Sequence, residues 1–321
     1  MPHRNEKMTV GKRKVLVDNL LIIEGITRAG KFLLANLMPA FDGIEPIQYH
    51  GLLEEIPFLE KFGFIDRATA QEILRCEIDL HTYDMLIGRN LNHRKSDKSS
   101  IFNHPQSEAY LARTDEPDGD AAIRKFYKQN PYCLYIMHEL MPNIGICFDT
   151  FPTMRVLSIR RSPLDLVYSW HCRGNGHRYG IDPKVFVITL DSPHGPIPWF
   201  AAEWKKNYYK LSEMDRIIMA IETLIRKEDK AYKNLSARNK KQILFVRYED
   251  ILEHSDSVIK KMGNFLKKTP NKQLKKILAS EKLPNTIDPA AKNQRLKEIQ
   301  KHASKNMFKK LLILEKEYLS Q

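Results

Sequence analysis

The 321-residue sequence contains no apolar run long enough to cross a membrane. Such a helix needs roughly 18–20 consecutive apolar residues. Asp18 and Asn19 interrupt the first apolar segment, so a signal peptide is not expected either. Cysteine is also scarce, with residues only at positions 76, 133, 147 and 172 and no C-x-x-C pair. The sequence therefore predicts reduced thiols in a cytoplasmic protein, without a zinc site or a disulfide framework.

Acidic residues are scarce at the C-terminal end. Residues 260–321 contain 16 Lys/Arg and only 5 Asp/Glu, which accounts for +11 of the net charge of +13. A basic segment of this kind attracts anions such as nucleic acid, acidic membranes or small anionic ligands. However, no helix-turn-helix, zinc-finger or RNA-recognition signature accompanies the lysines, and aromatic residues do not interleave them. We therefore do not expect nucleic acid to be the main partner.

Apolar runs of strand length alternate with helical patterns along the chain. The expected strands are Asn19–Glu24, Tyr132–Met137, Arg155–Arg160 and Ile243–Val246, and helical periodicity fills Leu211–Leu235, Val258–Leu266 and Ala303–Tyr318. This alternation predicts a single three-layer α/β domain over residues 1–321, with a central parallel sheet flanked by helices. Two polar segments without periodicity, 91–120 and 174–198, are predicted to be long surface loops.

A glycine-bracketed loop follows the first strand. Its sequence, Gly25-Ile-Thr-Arg-Ala-Gly30-Lys31-Phe32, fits the G-x-x-x-x-G-K pattern of nucleoside-triphosphate loops. The pattern requires Ser or Thr at the last position to ligate Mg²⁺, and Phe32 cannot do so. Gly145–Asp149, an apolar run ending in Asp, resembles the second NTPase motif, but such a pentamer is common by chance and has little weight. A P-loop kinase or NTPase is thus one interpretation. A non-catalytic nucleotide- or nucleic-acid-binding protein is another.

A second signature follows the 155–160 strand and favours a different family. Arg161-Ser-Pro163-Leu-Asp165-Leu-Val-Tyr-Ser169 has five defined residue types at fixed spacing, and Ser162 can cap the helix that begins there. With the Gly25–Gly30 loop and a later Tyr248-Glu-Asp, the sequence resembles the sulfotransferases that use 3′-phosphoadenosine-5′-phosphosulfate (PAPS). The resemblance extends over about residues 19–266 and implies the P-loop-like sulfotransferase fold. Residues 267–321 form a lysine-rich helical part.

The resemblance also implies how the PAPS co-substrate is held. The first loop would bind its 5′-side through Gly25, Thr27, Arg28, Ala29, Gly30, Lys31 and Phe32, although Ala29, Lys31 and Phe32 replace the hydroxyl residues common in the family. Arg28 would neutralise charge on the leaving group. Arg161 and Ser169 would hold the 3′-phosphate, and Tyr248 would lie near the adenine or support the loop. Lys292 and Arg295 are offered as further 3′-phosphate contacts. No metal is expected.

An acceptor hydroxyl has to lose its proton, so a general base is expected. In one branch of the family a His after the preceding strand has this role, and His138 occupies that place. In other branches a Glu after the first helix has it, and Glu45 fits that place, with Glu54 and Glu55 further along. The acceptor is predicted to be a hydroxyl compound, such as a carbohydrate or another small molecule. The residues point to no particular oligomeric state.

Overall fold

A parallel sheet forms the centre of the computed structural model, which describes residues 10–116 and 119–320. The strands are β1 (Leu20–Glu24), β2 (Cys133–Ile136), β3 (Arg155–Arg160), β4 (Thr189–Leu190), β5 (Ile197–Pro198) and β6 (Ile243–Arg247). The central sheet has the order β2-β1-β3-β6, and all its neighbouring strands are parallel. The antiparallel pair β4–β5 is separate. The four expected strands are confirmed, each to within one residue at either end.

Helices cover both faces of this sheet and continue to the C-terminal end. They are α1 (Lys31–Asn36), α2 (Leu52–Lys61), α3 (Arg67–Leu86), α4 (Ser107–Leu111), α5 (Gly119–Gln129), α6 (Gly145–Thr150), α7 (Pro163–His171), α8 (Glu213–Asn234), α9 (Ala237–Lys240), α10 (Tyr248–Glu253), α11 (Ser255–Leu266), α12 (Leu274–Ser280), α13 (Pro289–His302) and α14 (Lys305–Leu319). Within residues 10–116 and 119–320, none of the helices combines the length and the apolarity that a membrane span requires.

The sheet is sandwiched because successive residues of β1 point into different cores. Leu21 and Ile23 pack with α1, α7, α8 and α11, whereas Leu20 and Ile22 pack with α3, α5 and α6. All four side chains are at most 1% exposed. Burying each of them stabilises the fold by roughly 1.5–3 kcal/mol. Four successive apolar residues in β1 therefore give a sheet covered on both faces, which confirms the three-layer α/β class.

One sequence expectation about a loop is wrong. The segment 91–120 contains α4, the start of α5 and two single 3₁₀ turns, and its polar side chains bond locally, as Asn92 does with Asp97 and Ser99. Pro117 and Asp118 of this segment lie outside the described residues. Gly145–Asp149 belongs to α6, so it is not a strand ending in Asp, and it cannot supply a second NTPase motif. The segment 174–198 is mostly loop, as expected, with β4 and β5 near its end.

The parallel strands bring four connecting segments to one edge of the sheet. The segments begin after β1 at Gly25, after β2 at Met137, after β3 at Arg161 and after β6 at Tyr248. The carboxyl ends of strands are where open α/β sheets bind ligands. At the start of α7, Ser162 accepts the backbone N–H of Asp165 and Pro163 occupies the first turn, which is the predicted cap. Gly30 and Arg161 therefore lie at the same edge.

Candidate functional site

The loop between β1 and α1 has a backbone that few residues tolerate. Gly25 has φ 150° and Gly30 has φ 106°. A Cβ at Gly25 would lie 2.5 Å from the carbonyl oxygen of Ile159, and one at Gly30 would lie 2.3 Å from the Tyr248 ring. Arg28 also has a positive φ, of 77°, a left-handed conformation that costs a non-glycine residue roughly 1–2 kcal/mol. Strain of this kind is concentrated in ligand-binding loops.

Three hydrogen bonds join this loop to α7 and to Arg161, two residues before α7 begins. Arg28 donates from Nε to Oγ of Ser169 at 3.0 Å. Arg161 donates to the carbonyl oxygen of Arg28 at 2.9 Å, and the indole N–H of Trp170 donates to the carbonyl oxygen of Thr27 at 2.7 Å. The sequence places Arg28, Arg161 and Ser169 near one ligand, and the structure brings these three residues into direct contact.

Guanidinium groups are crowded at this point. Burial lowers the pKa of Arg28, and the nearby charges of Arg173 and Arg161 lower it further. Among the described residues, Nε of Arg161 has no hydrogen-bond partner. An anion between these groups would relieve their repulsion and accept charge-assisted hydrogen bonds. The cluster therefore fits a phosphate group. Sequence reasoning missed Arg173, which lies in the turn after α7 ends, four residues after Ser169.

Lys31 does not extend toward an external anion. Its ammonium donates to the carbonyl oxygens of Gly25 at 2.5 Å and Ile26 at 3.1 Å, and the side chain is buried. Burial lowers the pKa of this group, and the carboxylates of Glu139, Glu54 and Glu24 oppose that shift. The lysine therefore braces its own loop, which does not fit the expectation that it replaces the missing hydroxyls at a phosphate. Ala29 is fully buried and the Phe32 ring is 39% exposed.

One backbone amide of the loop donates a hydrogen bond to a carboxylate. The backbone N–H of Thr27 donates to Oε1 of Glu139 at 2.6 Å, and Glu139 is buried with φ 48°. The residue follows His138 and was missed as a site residue, because its partner lies more than 100 positions earlier in the chain. It ties the segment after β2 to the phosphate loop.

His138 contacts a second carboxylate at the end of β2. Its Nδ1 lies 2.8 Å from Oε1 of Glu54, and its backbone N–H donates to the same oxygen at 2.5 Å. Burial lowers the pKa of His138 to about 3, with a further contribution from Lys31, and burial raises the pKa of Glu54 to about 7. Near neutral pH the imidazole is therefore uncharged. With Nδ1–H donated to Glu54, Nε2 is the nitrogen that can accept a proton.

Tyr49 completes this group. Its hydroxyl lies 3.4 Å from Oε2 of Glu54, and its ring packs edge-on against the His138 imidazole, with 5.6 Å between the ring centroids. Burial raises the pKa of the Tyr49 hydroxyl, as does the neighbouring Glu54. The tyrosine therefore stays protonated and helps to fix the orientation of both partners.

Glu45 lies at the other end of the sheet, so its placement does not suit a general base. Its backbone N–H donates to the carbonyl oxygen of Tyr132, just before β2 begins, and its carboxylate lies 2.8 Å from Arg113. Burial raises its pKa, while Arg113 lowers it. The segment from residue 44 to residue 48 runs parallel to β2, with Gln48 beside Tyr135. Of Glu45 and Glu54, the one that reaches His138 is therefore Glu54, from α2.

The two basic residues expected from the C-terminal part both approach the start of α7. Arg295 donates to Asp165 at 2.6 Å and Lys292 to Glu315 at 2.7 Å. Asp165 also lies 4.0 Å from the guanidinium of Arg161. The helix α13 thus adjoins the arginine cluster, with Lys292 and Arg295 paired to carboxylates.

Tyr248 has a supporting position in the same cluster. The guanidinium carbon of Arg161 lies 4.4 Å from the centroid of its ring, and a Cβ added at Gly30 would lie 2.3 Å from the ring. The tyrosine therefore fills the space between the phosphate loop and Arg161, in line with an architectural role.

Comparison with known proteins adds information on the family. Residues 147–321, more than half of the chain, match the family described as "Sulfotransferase domain". The sulfotransferase domain of the Synechococcus PCC 7002 olefin synthase is 12% identical with a TM-score of 0.46, and the match covers 98% of each chain. A sulfotransferase from Mycobacterium avium is 14% identical with a TM-score of 0.42, covering 88% of this chain and 76% of that one. No curated protein matches the sequence.

Proposed function

Because the chain belongs to the sulfotransferase domain family, we propose that it transfers a sulfuryl group from PAPS to a hydroxyl acceptor. The observation that supports this donor is the contact between Arg28, Arg161 and Ser169 at the carboxyl edge of the sheet. A donor with a phosphosulfate at one end and a 3′-phosphate at the other needs cations at two places. The family match itself includes Arg161 and Ser169 but begins after the phosphate loop.

The donor would be held by two groups of residues. The backbone of Gly25–Gly30 would face the 5′-side, with Arg28 supplying charge. Arg161, Ser169 and Arg173 would face the 3′-phosphate. Tyr248 would keep Arg161 in place through the 4.4 Å contact with its ring. Breaking the pairs of Lys292 with Glu315 and of Arg295 with Asp165 would be needed before those cations could contact a nucleotide, so we assign them to positioning α13.

The bound donor supplies an activated sulfuryl group. In the transfer, the acceptor oxygen forms a bond to sulfur while the bond from sulfur to the bridging phosphate oxygen breaks. Adenosine 3′,5′-bisphosphate leaves with that electron pair, and the acceptor proton passes to a base. Cations beside the bridging oxygen lower the barrier because negative charge grows there. Arg28 is an exposed residue of the loop, and we assign this task to it.

We assign the base to His138 acting with Glu54. The neutral imidazole would take the acceptor proton on Nε2, and Glu54 would stabilise the imidazolium through Nδ1–H. A carboxylate whose pKa is near 7 can share the proton of such a pair more readily than an ordinary one. Glu45 is not retained as a candidate because it pairs with Arg113 at the amino end of β2.

A P-loop kinase or NTPase fits the site less well. Its lysine would have to reach the nucleotide phosphates, whereas Lys31 donates to two carbonyl oxygens of its own loop.

We also propose a cytoplasmic location, which is supported by the four free thiols, two buried and two exposed.

A thermal-shift comparison tests the donor. The full chain would be heated with adenosine 3′,5′-bisphosphate, with ATP and Mg²⁺, or with a short oligonucleotide. A ligand that binds only the native state raises the midpoint in proportion to ln(1 + [L]/Kd). We expect a saturable rise with the bisphosphate and little with the others. A larger rise with ATP and Mg²⁺ would favour the kinase interpretation, and one with the oligonucleotide would favour nucleic-acid binding.

A further inference from the structure

Three side chains that commonly ligate metals meet where α13 packs against α7. His171 lies at the end of α7, and Glu298 and His302 lie one turn apart on α13. Their ligand atoms are all within 4.8 Å of one another. Nε2 of His302 lies 3.0 Å from Oε1 of Glu298, and the two imidazole centroids are 5.4 Å apart.

We propose that His171, Glu298 and His302 bind a Zn²⁺ ion. Two imidazoles and one carboxylate are a common zinc ligand set, and imidazole nitrogen disfavours Ca²⁺ and Mg²⁺, which select oxygen. Tetrahedral bonds of about 2.0–2.1 Å place ligand atoms roughly 3.4 Å apart. The 3.0 Å pair on α13 is close to that spacing. His171 would need only a small side-chain movement, and the fourth position would be open to water.

The local charges permit a cation at this place. Of the four Lys and Arg residues of α13, Lys292 pairs with Glu315 and Arg295 with Asp165. Lys297 and Lys301 are exposed, so solvent and salt screen their charges. Glu298 supplies a negative charge to the site itself. Its side chain and that of His302 are each 42% exposed, so an ion can reach them and they can adjust.

The site would fasten a helix that has few other anchors. Ile299 is the one buried residue of α13. Arg295 precedes Glu298 by three positions, which puts both on one face of the helix. A metal shared with His171 would therefore hold α13 against α7 beside the Arg295–Asp165 pair. The ligands are distant in sequence, so the cysteine spacing that argued against a zinc motif carries no information about them. The site lies outside the phosphate loop, and the inference does not depend on the donor.

Calorimetry with Zn²⁺ on the tag-free full chain tests the site. We expect about one high-affinity ion per chain, and zinc at 100 times its Kd should raise the unfolding midpoint by about 4 °C. The His171→Ala/His302→Ala variant should lose at least tenfold in affinity. His177→Ala is the matched control, because His177 also lies 3.0 Å from a glutamate, Glu213, but belongs to no three-ligand group among the described residues. It should bind zinc like the unaltered chain.

Two further measurements separate this site from adventitious binding. Co²⁺ bound to His171, Glu298 and His302 should show no thiolate charge-transfer band, and Cys172→Ser should leave Zn²⁺ affinity unchanged. Amide exchange over residues 289–302 should slow with Zn²⁺ in the unaltered chain but not in the double histidine variant. The proposal is overturned if no saturable Zn²⁺ binding occurs. Binding that survives His171→Ala/His302→Ala, or that is lost in Cys172→Ser, also overturns it.

Discussion

Arg28 and Ser169 are 141 positions apart in the chain, yet Nε of the arginine donates to the serine hydroxyl at 3.0 Å. The contact joins the phosphate loop to α7. Arg161 reinforces it by donating to the carbonyl oxygen of Arg28. One consequence is that groups assigned to the two ends of the donor already lie side by side. Binding a nucleotide would then need little rearrangement of the loop, which favours affinity because preorganised sites lose less entropy.

Gly30→Ala should disrupt the loop. The new Cβ would lie 2.3 Å from the Tyr248 ring, at a residue whose φ is 106°. We expect a loss of stability of about 2 kcal/mol or more and a loss of at least tenfold in affinity for adenosine 3′,5′-bisphosphate. Chemical denaturation and calorimetry would measure the two effects.

Gly145→Ala is the matched control for this substitution. A Cβ at Gly145 would meet nothing within 4 Å, and the residue lies in α6. An added methyl group in the middle of a helix stabilises it by about 0.5–1 kcal/mol, so at this first position of α6 we expect no loss of stability. Equal effects of the two substitutions would show that the backbone of the phosphate loop is not the constraint.

His138→Ala should lower turnover by about 10²–10⁴-fold, the usual loss when a general base is removed. The proposed donor contacts are elsewhere, so affinity for adenosine 3′,5′-bisphosphate should change little. Glu54→Gln should also slow turnover, because it removes the charge that stabilises the imidazolium. Initial rates with any acceptor that the unaltered enzyme sulfates would be compared. If Glu45→Gln abolished turnover in folded protein while His138→Ala did not, the base would be Glu45.

The raised pKa of Glu54 predicts how stability depends on pH. Burial raises this pKa from 4.5 to about 7, so the folded state binds the proton more tightly than the unfolded state does. This contribution to stability is full below the unfolded pKa and is lost as the pH rises through about 7. Between about pH 5 and pH 8, Glu54→Gln should therefore gain stability relative to the unaltered chain, by up to about 3 kcal/mol. Urea unfolding at the two pH values would show it. A constant difference would contradict the buried, shifted carboxyl.

The elements that sequence analysis predicted well share a physical cause. Each central strand is a short apolar run between polar signatures, and parallel strands bring their carboxyl ends to one edge. Arg28, Arg161 and Ser169 could therefore be expected together. Such patterns do not predict which way a side chain points within a turn. The inward position of Lys31 was therefore not predicted. It depends on two carbonyl oxygens that the folded loop presents.

Contacts between residues far apart in the chain could not be predicted from the sequence either. Glu54 meets His138 across 84 positions because the chain before α2 runs alongside β2. Nothing in the local pattern distinguishes Glu54 from Glu45 as the partner of an edge residue. Glu45 lies beside the start of β2, whereas Glu54 lies near its end, and this difference determines which of them contacts His138. It is known only from the register of the segment 44–48 against β2. The same holds for Glu139, whose carboxylate accepts the Thr27 amide.

The most direct test of the donor assignment is calorimetry on Arg161→Ala with two nucleotides, adenosine 3′,5′-bisphosphate and adenosine 5′-phosphate. A charge-assisted hydrogen bond contributes roughly 1.5–3 kcal/mol, so affinity for the bisphosphate should fall about tenfold or more. Affinity for the nucleotide without a 3′-phosphate should hardly change, and Ser169→Ala should show a smaller effect of the same kind. Arg226→Ala removes an exposed arginine that pairs with Glu317 and serves as the control. Equal losses for both nucleotides in Arg161→Ala would mean that Arg161 supports the fold and does not read the 3′-phosphate.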